Sequence, residues 1–473
     1  MGGGVHNLAS KAEWEKALTD AGSELVVLDC FATWCGPCKM IAPKIVDFSN
    51  QFEKAHFYKI DVDEVPDVAQ ELGIRAMPTF KLFKNGEQVG EIVGANPKAI
   101  ETAISSNLAG VTGLTTALLL SENPRYKITV AAKHMPGDYD IQYASPWAGA
   151  NYMPVSLRDT PAAQWDRDTF PYLVDLARNH PESGIHFQKT KIFNRRKDVQ
   201  SATAAWFADL LSTDPWWKDT VLDFKVMNPF TLPEGVDSAT EFTSVCLNTA
   251  IYLPYLVSRL LATRRVVLKR SIFKHILDAA KIHHTGKKAD IVINCTGLSA
   301  RTLGGVMDEN MIPARGQTIL VRNESDWMGS ISGSDDGEDE VTYLMTRAAG
   351  GGSILGGCYQ KGNYDGSVDL NLASRIMKRV LAICPELADG KGPDGLDIVK
   401  HNVGLRPVRI NGTRIEREAI NDTDGTQLQL VHNYGHGGFG YQSSYGCSKV
   451  VVGLVNEAVE DLGKTTKQAK AKL

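Results

Sequence analysis

An apolar run, Leu25 to Phe31, leads through Trp34 into Cys35-Gly36-Pro37-Cys38-Lys39, and Met40-Ile41-Ala42-Pro43 continues as a helix start. A buried strand that delivers a cysteine to the first turn of a helix is a narrow structural specification. Unpaired backbone N–H groups and the helix dipole favour the thiolate of Cys35 there. Two intervening residues let Cys38 reach back to resolve a mixed disulfide. A zinc site needs a second ligand pair, and none stands nearby, so no metal is expected. Asp29 lies inside the apolar run, a costly placement unless its carboxyl handles a proton. Residues 56–61 and 80–84 read as further strands. Met77-Pro78-Thr79 precedes the second, and the hairpin signal Lys84-Asn85-Gly86-Glu87 ends it.

The chain has 473 residues, too many for one ordinary core, so two or three domains are expected. With 43% apolar residues, 22% charged residues and a net charge of −4, it reads as soluble and globular. Neither nucleic acid nor an anionic membrane is expected as a partner, and the basic cluster from Lys189 to Lys197 reads as solvated surface. No stretch is apolar and long enough to span a bilayer. Met1 to His6 shows no signal-peptide core, and His6 replaces the hydroxyl residue that myristoylation requires. Eight cysteines with one close pair suit a reducing compartment holding one redox couple.

Asp29, Trp34 to Lys39, Pro43, Asp61-Val62-Asp63, Met77-Pro78-Thr79 and Gly94-Ala95-Asn96-Pro97 occur in the order found in thioredoxins. The segment up to about Asn107 resembles that family over nearly its full length. The resemblance implies Cys35 as nucleophile, Cys38 as resolving thiol and Asp29 as buried proton acceptor. It also implies a cis Pro78 that shapes the partner groove. The implied partners are thioredoxin reductase and disulfide-containing proteins. Cys30 departs from the family, which usually has an aromatic there; it is either a core residue or an oxidisable third thiol.

From Pro97, apolar residues at 99, 100, 103, 104 and 108 keep helical spacing. Then Ala109-Gly110-Val111-Thr112-Gly113-Leu114 leads into a second apolar helix. Set against G-x-G-x-x-G, Leu108 stands where the first glycine belongs, and a helical pattern replaces the strand that should precede it. Residues 126–132 read as the next strand of a dinucleotide-binding unit. That strand ends in Lys133 rather than in a ribose-binding acid.

Further motifs follow: Lys133-His134-Met135-Pro136-Gly137-Asp138, Ala144 to Asn151, Ala289 to Gly297, Gly404-Leu405-Arg406-Pro407-Val408-Arg409, and Val431 to Gln442. Together they resemble the fungal type of D-amino acid oxidase, continuously from Gly110 to Leu473. The implied organisation is a thioredoxin domain at 1–107 followed at 108–473 by an N-terminally truncated, FAD-binding Rossmann-like domain. A mixed-sheet α+β substrate domain is interleaved with it, which makes the chain α/β overall. The resemblance implies FAD contacts at Ala109, Gly110, Val111, Thr112, Lys133, Ala148, Gly149, Ile272, Thr296, Gly437, Gly438, Phe439, Gly440, Tyr441 and Gln442.

Arg406 can hold a carboxylate through two parallel hydrogen bonds, and Tyr343 can donate a third. With Gly438 these are the expected substrate-binding residues. Such a clamp turns the α-hydrogen of a D-amino acid toward the flavin, and no dedicated protein base is required. The implied reaction uses oxygen and yields a 2-oxo acid, ammonia and hydrogen peroxide. Residues 325–340 are acidic and rich in Gly and Ser; Arg347 is a candidate cation for acidic substrates.

Ala471-Lys472-Leu473 is a variant of the Ser-Lys-Leu peroxisomal address, implying an import receptor, with a cytoplasmic location as the alternative. Three readings stand at this point. The chain is bifunctional; or an active thioredoxin is joined to a flavin-deficient oxidase body that serves as scaffold; or two genes have been mistakenly merged. Losing a central strand and the first glycine is expected to weaken FAD binding greatly.

Overall fold

The structure is a computed structural model that describes residues 4–22, 24–51, 55–84, 86–93, 109–201, 207–422, 425 and 427–471, without the side chains of 51, 84, 87, 89–93 and 463–471. The segment 94–108, which carries the helical pattern after Pro97 and Leu108, lies outside the described residues, as do Lys472 and Leu473. The chain forms two compact units, 1–106 and 107–473.

In the first unit β1 (Val5–Asn7), α1 (Lys11–Ala21), β2 (Leu25–Phe31), α2 (Gly36–Gln51), β3 (Ala55–Asp61), α3 (Pro66–Glu71), β4 (Thr79–Lys84) and β5 (Glu87–Val93) follow one another. They build one sheet in the order β1-β3-β2-β4-β5. Ser10 caps α1 by accepting from the Glu13 N–H at 3.3 Å, and Glu13 accepts from the Ala9 N–H at 2.7 Å. Strand alternation sends Val26, Leu28 and Cys30 into a core with Trp14 and Val68. Val27 points to the other face, against Ile41, Ile45 and Phe48 of α2. Asp29 shares the parity of Val27, so the acid lies on the face that α2 covers.

The second unit opens with α4 (Val111–Ser121), β6 (Ile128–Ala132), α5 (Pro161–Asn179), β7 (Ile185–Asn194) and the short α6 (Ala208–Leu211). Then come β8 (Leu222–Val226), β9 (Ser238–Leu247), α7 (Thr249–Ala262), β10 (Val266–Arg270), α8 (Ile276–Lys281) and β11 (Ile291–Asn294). β12 (Met311–Val321), β13 (Trp327–Ile331), β14 (Glu340–Thr346), β15 (Ser353–Cys358), β16 (Gln360–Lys361) and α9 (Leu370–Ile383) follow. β17 (Ile398–Arg409), β18 (Arg414–Asn421), β19 (Gln427–Tyr434) and α10 (Ser444–Ala471) end it.

Three sheets result. A mixed nine-stranded sheet runs β16-β12-β15-β14-β13-β7-β9-β8, with β17 along β12. β10 and β6 form a parallel pair, and β11, β19 and β18 form a third sheet. Helix α4 is almost wholly buried, against α7 and α10. Burial on all sides is what its unbroken Leu-Ala-Thr composition suits.

Candidate active sites

In the first unit β2 ends just before the turn that starts α2, so Cys35 stands at the helix N-terminus and Cys38 one turn in. The two are joined as a disulfide, and the Cys38 N–H donates to Cys35 Sγ at 3.1 Å. Both sulfurs pack with Ala32, Val62 and Met77. The Met77–Pro78 bond is cis and Pro78 is buried beside this cluster. Trp34 is 67% exposed and tethered through Nε1 to Asp63 Oδ2 at 2.8 Å. It offers an apolar surface beside the pair. Asp29 is buried and its Oδ1 has no hydrogen-bond partner among the described residues. Burial pushes its carboxyl up to about 7, against the pull of Lys59. A carboxyl poised near neutrality can take and return the proton of a thiol as the pair opens and closes.

In the second unit a cavity of about 270 Å³ lies where the start of α4, the end of β17 and the 435–442 turn converge on β12 and β14. Arg406 enters from β17. Its Nη1 donates to Cys358 O at 2.9 Å, its Nη2 to the Tyr343 hydroxyl at 3.5 Å, and its guanidinium lies 5.1 Å from the Tyr359 ring centre. Register makes this possible: Arg406 pairs with Ala314 of β12, and Tyr343 of β14 pairs with Gly356 of β15. A Cβ on Gly356 would fall 2.0 Å from Tyr343 Cζ, so the phenol lies flat over bare backbone. Burial raises the Tyr343 hydroxyl above its ordinary range although Arg406 pulls it down, so it stays a proton donor. Glu340, at the head of β14, is buried and held by Arg375 and Arg379; Arg379 Nε also reaches Thr342 Oγ1 at 3.1 Å. These bonds fix the strand that carries Tyr343.

Residues 109–454 match the family model described as FAD dependent oxidoreductase, and residues 5–106 the one described as Thioredoxin. A D-amino-acid oxidase of Fusarium vanettenii is 49% identical over 366 residues, which are 77% of this chain and 98% of that protein. The chain belongs to the D-amino-acid oxidase family. A thioredoxin-2 of Pyricularia oryzae is 55% identical over 103 residues, 22% of this chain and 59% of that protein. The crystal structure of a glycine oxidase from Geobacillus kaustophilus shares the fold, with a TM-score of 0.55 at 16% identity over 74% of this chain and 93% of that one. A thioredoxin domain carrying the Cys35–Cys38 pair thus precedes a D-amino-acid oxidase unit of the FAD dependent class.

The residues of the oxidase unit fit a flavin at this cavity. The α4 N-terminus opens onto it through Gly110, Val111 and Thr112, and Gly110 caps the helix with no side-chain hydrogen bond of its own. The Val111 N–H donates to Ser145 Oγ at 3.0 Å, and the Tyr143 hydroxyl closes on Ala109 O at 2.6 Å. Gly113 sits where a Cβ would be 3.4 Å from Cys295 Cβ, so the glycine at the third fingerprint position packs α4 onto the end of β11. His436 lines the cavity, is buried, and leaves Nε2 without a partner among the described residues. Burial lowers its imidazole to about 4, so it is neutral and one ring nitrogen awaits a ligand. Ala148, Gly149 and the run from Gly437 to Gln442 complete the wall.

Not every expected contact gathers there. Ala109 and Thr296 line a second cavity, while Lys133 and Ile272 line neither; Ile272 is exposed on the surface. Arg347 is buried, and its guanidinium donates to Ala148 O, Gly149 O and Thr249 Oγ1. It braces the 148–149 backbone and does not face the cavity. Tyr359, Gly316 and His436 were not singled out from sequence. For Gly316 the signal was a glycine inside an apolar strand, the mark of close backbone approach. The oxidase unit's thiols are also quiet. Burial raises Cys246 and Cys295 to about 12, Cys384 to about 11, and Cys358 and Cys447 above their ordinary range.

Proposed function

We propose that the chain carries two oxidoreductase activities: dithiol–disulfide exchange through Cys35 and Cys38, and FAD-dependent oxidative deamination of neutral D-amino acids. The observation that carries the second is the Arg406–Tyr343 pair facing the same cavity as Gly437 to Gln442. The guanidinium and the phenol hold the substrate carboxylate. That would turn the α-carbon toward the wall of Gly437 to Gln442, whose residues would hold FAD; bound there, FAD would supply a two-electron acceptor that oxygen can reoxidise. The imino acid leaves, and water converts it to a 2-oxo acid and ammonia; the reduced oxygen leaves as hydrogen peroxide. Among the described residues that line the cavity, Arg406 is the one Lys or Arg, so a second carboxylate finds no counter-charge. This favours neutral side chains over acidic ones. In the thioredoxin domain, Cys35 attacks a partner's disulfide and Cys38 releases the reduced product. A thioredoxin reductase restores the dithiol.

FAD is held more weakly than by a complete Rossmann fingerprint, because Leu108 stands where the first glycine belongs. The same substitution favours the second reading, an active thioredoxin joined to a flavin-poor body. The test is an absorbance scan of the purified chain across the flavin band, about 350 to 500 nm, with peroxide production from D-alanine as excess FAD is added. The proposal requires peroxide that rises with FAD. A chain that stays inactive at saturating FAD overturns it in favour of the second reading.

A further inference from the structure

One buried carboxyl stands directly behind the cavity wall. Asp166, on α5, is 1% exposed. Its Oδ2 accepts from Gln442 Nε2 at 3.1 Å and from the Ser156 hydroxyl at 2.6 Å, while Oδ1 has no partner among the described residues. Gln442 ends the 435–442 turn and lines the cavity; Asp166 does not. The contact is well braced. A Cβ on Gly446 of α10 would fall 2.2 Å from Trp165 O, so α5 and α10 touch backbone to backbone one residue from Asp166. The Gly446 N–H donates to Thr169 Oγ1 at 2.9 Å, and the Tyr152 hydroxyl donates to Asp166 O at 3.0 Å. The carboxyl has little room to move, and the amide it meets is held at one end.

A carboxylate only accepts, so the end of Gln442 that meets it is the NH2 group. The end left for the cavity is the acceptor Oε1. We propose that Asp166 is a positioning residue for the cofactor: it fixes the Gln442 amide with Oε1 toward the cavity, where that oxygen accepts a hydrogen bond from FAD. This rests on the reading that the cavity takes FAD, whose ring imide N–H and ribityl hydroxyls are donors. A proton on Asp166 undoes the arrangement. The neutral acid donates as well as accepts, so the amide gains a second orientation that presents NH2 to the cavity. Burial pushes the carboxyl up to about 7, against the hydrogen bonds from Ser156 and Gln442. The other ionisable groups packed there titrate elsewhere or face away. Burial raises Tyr152 and Cys447 above their ordinary ranges and lowers His436, on the cavity side, to about 4. Arg167 lies over the Trp216 ring, Lys449 lies over the Tyr172 ring, and Asp168 accepts from Gln164. FAD prefers the ionised form of Asp166, so affinity is full above pH 7 and falls as pH drops through that value.

The test is calorimetric titration of the flavin-free full chain with FAD across pH 6 to 8, in two buffers that differ in ionisation enthalpy. The dissociation constant should be about five- to tenfold larger at pH 6 than at pH 8, because only about a tenth of Asp166 is then ionised. Between about 0.4 and 0.9 of a proton should be released per FAD at pH 6, and almost none at pH 8. Asp166→Asn should bind FAD at one pH-independent level and release no proton. A merely structural Asp166 would lower the melting temperature of that variant and leave the pH profile as it was. Ser156→Ala removes a hydrogen bond that holds the carboxyl down, so its inflection should move to higher pH; this variant decides the matter where Asp166→Asn does not fold. Equal affinity of the wild-type chain at both pH values overturns the proposal. So does an Asp166→Asn chain that keeps the wild-type profile, or a Ser156→Ala chain whose inflection stays in place. A wild-type chain that binds no FAD at either pH overturns the underlying reading as well, and shows this before any variant is made.

Discussion

Gly316 of β12 lies directly beneath the guanidinium of Arg406: a Cβ at that glycine would fall 2.3 Å from Nη1 and 2.6 Å from Cζ. The atoms that would have to move are the far end of a flexible side chain, so Gly316→Ala should displace the guanidinium while sparing the fold. We expect kcat/KM for D-alanine, measured with saturating FAD, to fall roughly 10- to 100-fold, from misplaced substrate. The melting temperature should move little. A variant with normal kinetics would show that Arg406 does not hold the carboxylate in this pose.

Tyr343→Phe removes one charge-assisted hydrogen bond to the substrate and keeps the ring that packs over Gly356. KM should rise roughly 10-fold, the scale of about 1.5 kcal/mol. Arg406→Lys should cost more, because an ammonium cannot reproduce two parallel bonds. Steady-state peroxide kinetics on both variants check the order; Tyr343→Phe being the worse of the two would contradict it.

Asp29 should make the thioredoxin domain less stable as pH rises. Its carboxyl stands at about 7 in the fold against 3.8 for the free group, so between those values the folded state binds the extra proton. Stability is greatest near pH 4 and declines until about pH 7, after which it is flat. The gap bounds the effect at about 4 kcal/mol. Asp29→Asn should abolish the pH dependence and gain stability at pH 8. Hydrogen exchange at the β2 amides of the oxidised full chain, at pH 4.5 and 8, measures both. The disulfide-exchange rate of the variant should also lose its inflection near neutrality.

Arg379→Met should weaken the hold on β14. Arg375 still faces Glu340, so the acid is not left alone; roughly 2–3 kcal/mol of stability should go, less than for a fully orphaned buried charge. The thermal transition of the oxidase unit should drop, and KM should rise because Tyr343 sits on the loosened strand. An unchanged transition would mean that the ion pairs contribute no net stability.

How much of this was legible in the residues depends on sequence distance. The dithiol, its helix and the anomalous Asp29 all lie within one strand–turn–helix segment, where periodicity and burial cost suffice. Arg406 and Tyr343 were identified from family resemblance, since 63 residues separate them and only the β12–β17 and β14–β15 registers bring them together. Gly316 under Arg406, Tyr359 beside it and the Glu340–Arg379 pair depend on the same nonlocal pairings, which no window of sequence displays. The Ser145 hydroxyl on the Val111 N–H is a further contact of this kind, 34 residues apart. Residues 325–340 read only as acidic and rich in Gly and Ser; in the fold Asp335 is pinned by Arg195 and Lys197, and Asp336 by Arg379.

An oxidase that releases hydrogen peroxide exposes its own body to oxidative self-damage. Peroxide attacks thiolates, and thiols held in the neutral form are nearly inert to it. Because burial raises the thiols of Cys246, Cys295, Cys358, Cys384 and Cys447 above their ordinary range, these five sulfurs stand in the neutral form that peroxide attacks slowly.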